Sequence, residues 1–125
     1  MPDMDIFRET GILKYLLEQL SDIERFTEGY DEDEFLRDDL VKNATLMKLI
    51  VFGEYASRVD DNLKSRFSEI QWQLIKAARN YYAHVYRGID WIRVWEVIKQ
   101  ELPGLIPKIE NIIEVLKKEE NGKIN

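Results

Sequence analysis

DMDIFRETGILKYLLEQLSDIERFT, residues 3–27, carries the spacing that decides the fold. Ile6, Leu13, Leu16, Leu17, Leu20, Ile23 and Phe26 recur at steps of three and four residues, which lines them up on one side of an α-helix. The spacing predicts a helix from about Asp3 to Thr27, closed by Glu28-Gly29-Tyr30 with Gly29 as its C-terminal cap. The same period continues along the chain. Asp31 or Asp33 is expected to cap a second helix with a buried side of Phe35, Leu36, Leu40, Ala44, Met47, Ile50, Val51, Tyr55 and Val59. Gly53 and Ala56 are small residues within it that would let another backbone come close. Ser68 and Gln71 read as a capping box opening a third helix, Glu69 to about Tyr86, with Ile70, Leu74, Ala77 and Ala78 as core positions and Tyr81 and Val85 as further candidates. Asp90 caps a fourth helix carrying Trp91, Val94, Trp95 and Ile98. Leu102-Pro103-Gly104 is expected to break the chain before a fifth, marked by Leu105, Ile109, Ile112, Ile113 and Leu116. No stretch alternates as a strand does. The expected fold class is all-α: a five-helix, antiparallel, up-and-down bundle in one domain, residues 1–118, followed by a polar tail, 119–125.

Composition narrows the function classes. Apolar residues make up 45% of the 125, enough for a core. The chain lacks cysteine, which excludes disulfides, thiolate metal sites and a cysteine nucleophile, and fits a cytoplasmic setting. No apolar run approaches the roughly 20 residues of a membrane span, so no membrane partner is expected. A net charge of −6 argues against a nucleic-acid partner, but the charge is uneven. Glu28 to Asp39 holds seven carboxylates against Arg37. Trp72 to Lys99 holds five cations against Asp90 and Glu96, so a local positive field is conceivable on one face. On charge alone, ordinary solvated faces are the more common reading of both runs.

Arg79-Asn80-Tyr81-Tyr82-Ala83-His84-Val85-Tyr86 holds the chain's single histidine. On a helical wheel with Arg79 at zero, Tyr86 falls at about −20°, Asn80 at about 100° and His84 at about 140°. Asn80 and His84 are four residues apart and within hydrogen-bonding reach on a helix. Histidine exchanges protons near neutrality, and arginine grips phosphate oxygens with a planar fork. Together they suit phosphodiester chemistry on RNA, whose own 2′-hydroxyl is the nucleophile. Tyr81 and Tyr82 could stack on unpaired bases. On spacing alone, a structural histidine and core or interface tyrosines remain the more common reading of such a helix. There is no glycine-rich phosphate loop, and no second histidine for a familiar metal site.

Arg79-Asn80 followed by His84 is similar to the R-N-x-x-x-H motif of HEPN domains, and His84-Val85-Tyr86 extends it to the R-x4-H-x-Y form of the HepT-like toxins. Phe35-Leu36-x-Asp38, Phe52-Gly53-Glu54, Ile70-Gln71-Trp72, Gly88-Ile89-Asp90, Val94-Trp95 and Leu102-Pro103 resemble that family's landmarks in the same order, from about Ile6 to Leu116. Gln71 stands where the family often has proline.

The resemblance implies a homodimer with both motifs facing a cleft at the two-fold axis. It implies a toxin of a toxin–antitoxin pair that cleaves RNA internally without a metal ion or other cofactor. Arg79 and His84 would be catalytic and Asn80 supporting, with Tyr82, Arg87 and Lys76 as candidate RNA contacts. The partner implied is a nucleotidyltransferase antitoxin that silences the toxin by attaching AMP to Tyr86. Phosphates there would neutralise the neighbouring cation and fill the cleft. The competing expectation is a non-catalytic helical module that only binds the nucleotidyltransferase.

Overall fold

A computed structural model describes residues 4–85 and 87–124, and the described residues are all-helical, without strands. The elements are α1 (Ile6–Phe26), α2 (Glu32–Arg37), α3 (Asp39–Ala56), α4 (Asp61–Arg66), α5 (Trp72–His84) and α6 (Trp91–Glu96). A π-helical turn (Val97–Glu101) follows, then α7 (Leu102–Ile124). Because α6, the π turn and α7 join end to end, the described chain forms six helical rods rather than the five expected. None is long and apolar enough to cross a membrane.

Aspartates start most of the helices. Asp5 accepts from the Arg8 amide, Asp31 and Glu34 form a reciprocal capping box, and Asp90 accepts from the Arg93 amide. Asp38 accepts from the Val41 amide and also from the Tyr30 hydroxyl at 2.6 Å. Three carboxylates of the acidic run, those of Asp31, Glu34 and Asp38, are therefore parts of helix starts. Gly29 and Gly88 take φ of 77° and 74°, the left-handed conformation that lets the chain turn after α1 and after α5.

Three expectations change. Asp38 leaves the helical conformation, at φ −102° and ψ 92°, and so splits the expected second helix into α2 and α3. This resets the helical phase. On α3 the buried residues are Thr45, Leu46, Leu49, Phe52, Gly53 and Ala56, while Leu40 and Met47 face solvent. Second, Asp60 caps the unforeseen α4, held by Glu9 of α1. That carboxylate, almost fully buried, accepts from the Asp60 amide at 2.6 Å. Third, Leu102-Pro103-Gly104 does not break the chain. The Leu102 amide donates to the Val97 carbonyl, and this wider turn makes room for a proline ring that cannot donate and crowds the preceding turn. α7 continues through Glu119, which pairs with Arg66.

The core lies between α1, α3 and α7. Leu13, Leu16, Leu20 and Ile23 of α1 meet Leu49 and Phe52 of α3 and Ile109, Ile112 and Leu116 of α7. Phe35 of α2 closes it against α6, with its ring 5.1 Å from that of Trp95. α5 packs chiefly on α3, outside this core.

Candidate functional site

α5 begins at Trp72 without a side-chain cap, since Gln71 makes no such bond and the expected Ser68–Gln71 capping box does not form. The Trp72 indole N–H instead donates to the Phe67 carbonyl at 3.1 Å and anchors the helix start to the preceding loop. No residue of α5 is buried. Of its expected core positions, Ile70 is buried but precedes the helix, Leu74, Ala77, Ala78 and Tyr81 are exposed, and Val85, just past the helix end, is half-buried.

Arg79 lies on the side of α5 that faces α3. A Cβ added to Gly53 would overlap the Arg79 Cβ and lie 2.8 Å from its Cγ, so only glycine lets the arginine stem pass there. The Arg79 guanidinium then meets two acceptors. One Nη2 hydrogen goes to the Glu54 carboxylate, and Nη1 donates to the Asn80 side-chain oxygen at 2.6 Å. The Arg79 guanidinium beside it holds the Glu54 carboxyl below the usual carboxylate range. The expected hydrogen bond between Asn80 and His84 is absent. His84 is the last residue of α5, exposed, and turned away from Arg79 by about 140° and about 7.5 Å of helix rise. One subunit thus presents the arginine and the histidine on different sides of the same helix.

Beside Arg79 a cleft of about 520 Å³ opens between α5 and the α6–α7 rod, floored by Leu49, Phe52, Val97 and Leu102. Tyr82, half-buried, lines it, and the loss of solvent around its phenol pushes it up from the ordinary value. Arg93 and Glu101 face each other at its edge, with Nη2 of the arginine 3.0 Å from the carboxylate. Lys76 lies elsewhere, in a smaller depression with Asp61 and Lys64, and Arg87 is exposed in the loop after α5. Of the three candidate RNA contacts, the fold brings only Tyr82 to the cleft beside Arg79. Tyr86, the expected modification site, lies outside the described residues.

The local positive field is weaker than the sequence run suggested, because folding brings Glu54 and Glu101 onto Arg79 and Arg93. Glu54, named in the sequence only as part of the Phe52-Gly53-Glu54 landmark, is the neighbour of Arg79 that sequence reasoning did not pair with it. Its signal was the small Gly53 before it, read as a close-approach position without a partner.

The family model for ribonuclease HepT-like proteins matches residues 16–112, which include the Arg79–His84 segment and most of the core. The chain belongs to the HepT-like ribonuclease family. Among its relatives is a Methanocaldococcus jannaschii protein named "Putative RNase", 30% identical over 98% of this chain and 99% of the relative. A second protein of that organism with the same description is 30% identical over 93% of this chain and 97% of its own length. A Thermococcus cleftensis protein named "Probable ribonuclease HepT" is 28% identical over 80% of this chain and 91% of its own. No solved structure gives a significant match. For a HepT-like chain, the correspondence of Arg79, Asn80 and His84 to the family motif makes α5 the candidate active-site helix.

Proposed function

We propose that this HepT-like chain is the toxin of a toxin–antitoxin pair, a metal-independent RNA endonuclease whose site is assembled from two copies of α5. The observation that carries the reading is that α5 bears the motif while none of its residues is buried by its own chain. Leu74 is 61% exposed and Tyr81 48%, which leaves an apolar strip along Leu74, Ala77, Ala78 and Tyr81 for a second copy to cover. A two-fold axis across that strip would bring the outward-facing His84 of each subunit toward the other and double the two functional groups.

In such a groove Arg79 would bind the scissile phosphate through the N–H groups that Glu54 and Asn80 leave free. One imidazole would take the proton of the 2′-hydroxyl as its oxygen attacks phosphorus. The bond to the 5′-oxygen would break as that oxygen receives a proton, leaving a cyclic 2′,3′-phosphate and a free 5′-hydroxyl. Two His84 side chains suffice for the two proton transfers. Charge on the phosphorane would be balanced by Arg79. Silencing by a nucleotidyltransferase antitoxin through AMP on Tyr86 completes the reading, since an added phosphodiester near Arg79 would compete for its charge.

The test is cleavage of single-stranded RNA in excess EDTA by freshly purified protein. Wild type should cut, and Arg79→Ala and His84→Ala should lose about 10²–10⁴-fold in rate while keeping their helical circular dichroism. Intact RNA across varied sequences, with tight binding to the nucleotidyltransferase, would replace this reading with the interaction module. Intact mass after co-expression with the nucleotidyltransferase should show AMP increments that vanish in Tyr86→Phe.

A further inference from the structure

Arg79 is the residue asked to hold the scissile phosphate, yet an arginine has several rotatable bonds and would sample many rotamers at a helix surface. The fold removes much of that freedom in three ways. Gly53 admits the Arg79 stem against the α3 backbone, with the Arg79 Cα 3.5 Å from the place a Cβ would take. Asn80 accepts from Nη1 on one side. Glu54, 25 residues away in sequence and on a different helix, accepts from Nη2 on the other. The Glu54 carboxylate also lies 3.4 Å from the Arg58 guanidinium, so it is itself held from the turn just after α3.

We propose that Glu54 is a positioning residue, which fixes the plane of the Arg79 guanidinium so that its remaining N–H groups point into the groove where the phosphate binds. The inference rests on the ribonuclease reading and adds a residue to it. Two of the five guanidinium hydrogens are used by Glu54 and Asn80, which leaves three for a phosphate. A fixed carboxylate also offsets the arginine charge before substrate arrives. Arg79 then adds little to the affinity for RNA and more to the transition state, where extra negative charge builds on phosphorus. The carboxylate's depressed titration keeps it ionised throughout the neutral range, so this arrangement persists wherever His84 chemistry operates.

The experiment compares Glu54→Gln and Glu54→Asp with wild type as full chains, in steady-state cleavage of a fluorescent single-stranded RNA and in nitrogen NMR of the arginine side chains. Glu54→Gln keeps the size and an acceptor oxygen but removes the charge. Its kcat should fall about 10–100-fold with KM unchanged or lower, and the Arg79 guanidinium should pass from hindered to free rotation. Glu54→Asp should recover part of the lost kcat. A wild-type kcat in Glu54→Gln, or an Arg79 signal unchanged by the substitution, overturns the inference and leaves the ribonuclease reading standing. Uncut RNA with wild-type protein overturns both. A loss of kcat in proportion to unfolded protein, with the Arg79 signal of the folded fraction unaltered, would reduce Glu54 to a structural ion pair and also overturns it.

Discussion

Helices α1 and α5 both carry an apolar stripe, and the chain treats them differently. On α1, Leu13 and Leu16 have no exposed surface, and Ile23 and Leu20 almost none, because α3 and α7 close over them. On α5 no residue is buried, and Leu74 and Tyr81 stand out toward solvent. The first helix spends its apolar face inside its own subunit. The second is held by α3 along the side that carries Arg79 and leaves Leu74, Tyr81 and His84 exposed to whatever binds there. An amphipathic pattern therefore reports that a face will be covered, without saying by which molecule.

Cutting into each region should give opposite results. Leu16→Ala leaves a hole in the fully buried core and should cost about 2–5 kcal/mol in urea unfolding. Gly53→Ala strikes the joint between the two regions. Its methyl overlaps the Arg79 Cβ, and forcing α5 off α3 should cost about 1–3 kcal/mol, with RNA cleavage falling further than stability alone explains. A Gly53→Ala protein with unchanged stability and activity would show that the close approach is dispensable. Leu74→Glu should change the stability of the isolated subunit by less than about 0.5 kcal/mol. Sedimentation should instead show a dimer weakened about tenfold or more, if α5 pairs with its copy.

The smallest effect is expected at the start of α3. The Tyr30 hydroxyl beside Asp38 holds that carboxyl below the usual carboxylate range. A depressed folded-state value means the stabilisation is fully present above the unfolded value of about 3.9 and is lost as pH falls through the folded one. Tyr30→Phe should therefore be less stable than wild type at neutral pH, and the two should converge as acid unfolding curves are followed below about pH 4. A difference that stays constant across that range would mean the hydroxyl acts through packing rather than through Asp38.

The helix count and the motif were legible to different degrees. α1 could be read almost to its ends, since its spacing and Gly29 are local features, while its cap, Asp5, lies two residues inside the expected start. The burial pattern of α3 could not. Leu40 and Met47 were expected inside and lie outside, because one non-helical residue, Asp38, shifts the phase of everything after it. The continuation through Pro103 was hidden too, since a proline stops a helix unless the turn before it widens, and nothing in the local spacing announces a π turn. At the candidate site, Arg79, Asn80 and His84 were identified as residue types suited to phosphate and proton transfer. The expected partnership of Asn80 with His84 gave way to one with Arg79, whose charged fork is the stronger donor.

The order of residues by itself determined the close of α1 at Gly29, the helix starts at Asp31 and Asp90, and which side chains of α5 are of the types suited to phosphate and proton transfer. Those properties come from capping, backbone conformation and neighbours within one or two turns. Tertiary structure alone decided that Glu54 meets Arg79, that Gly53 makes the meeting possible, and that α5 keeps an open face. Such facts depend on which helix lies against which, at separations that no local pattern spans.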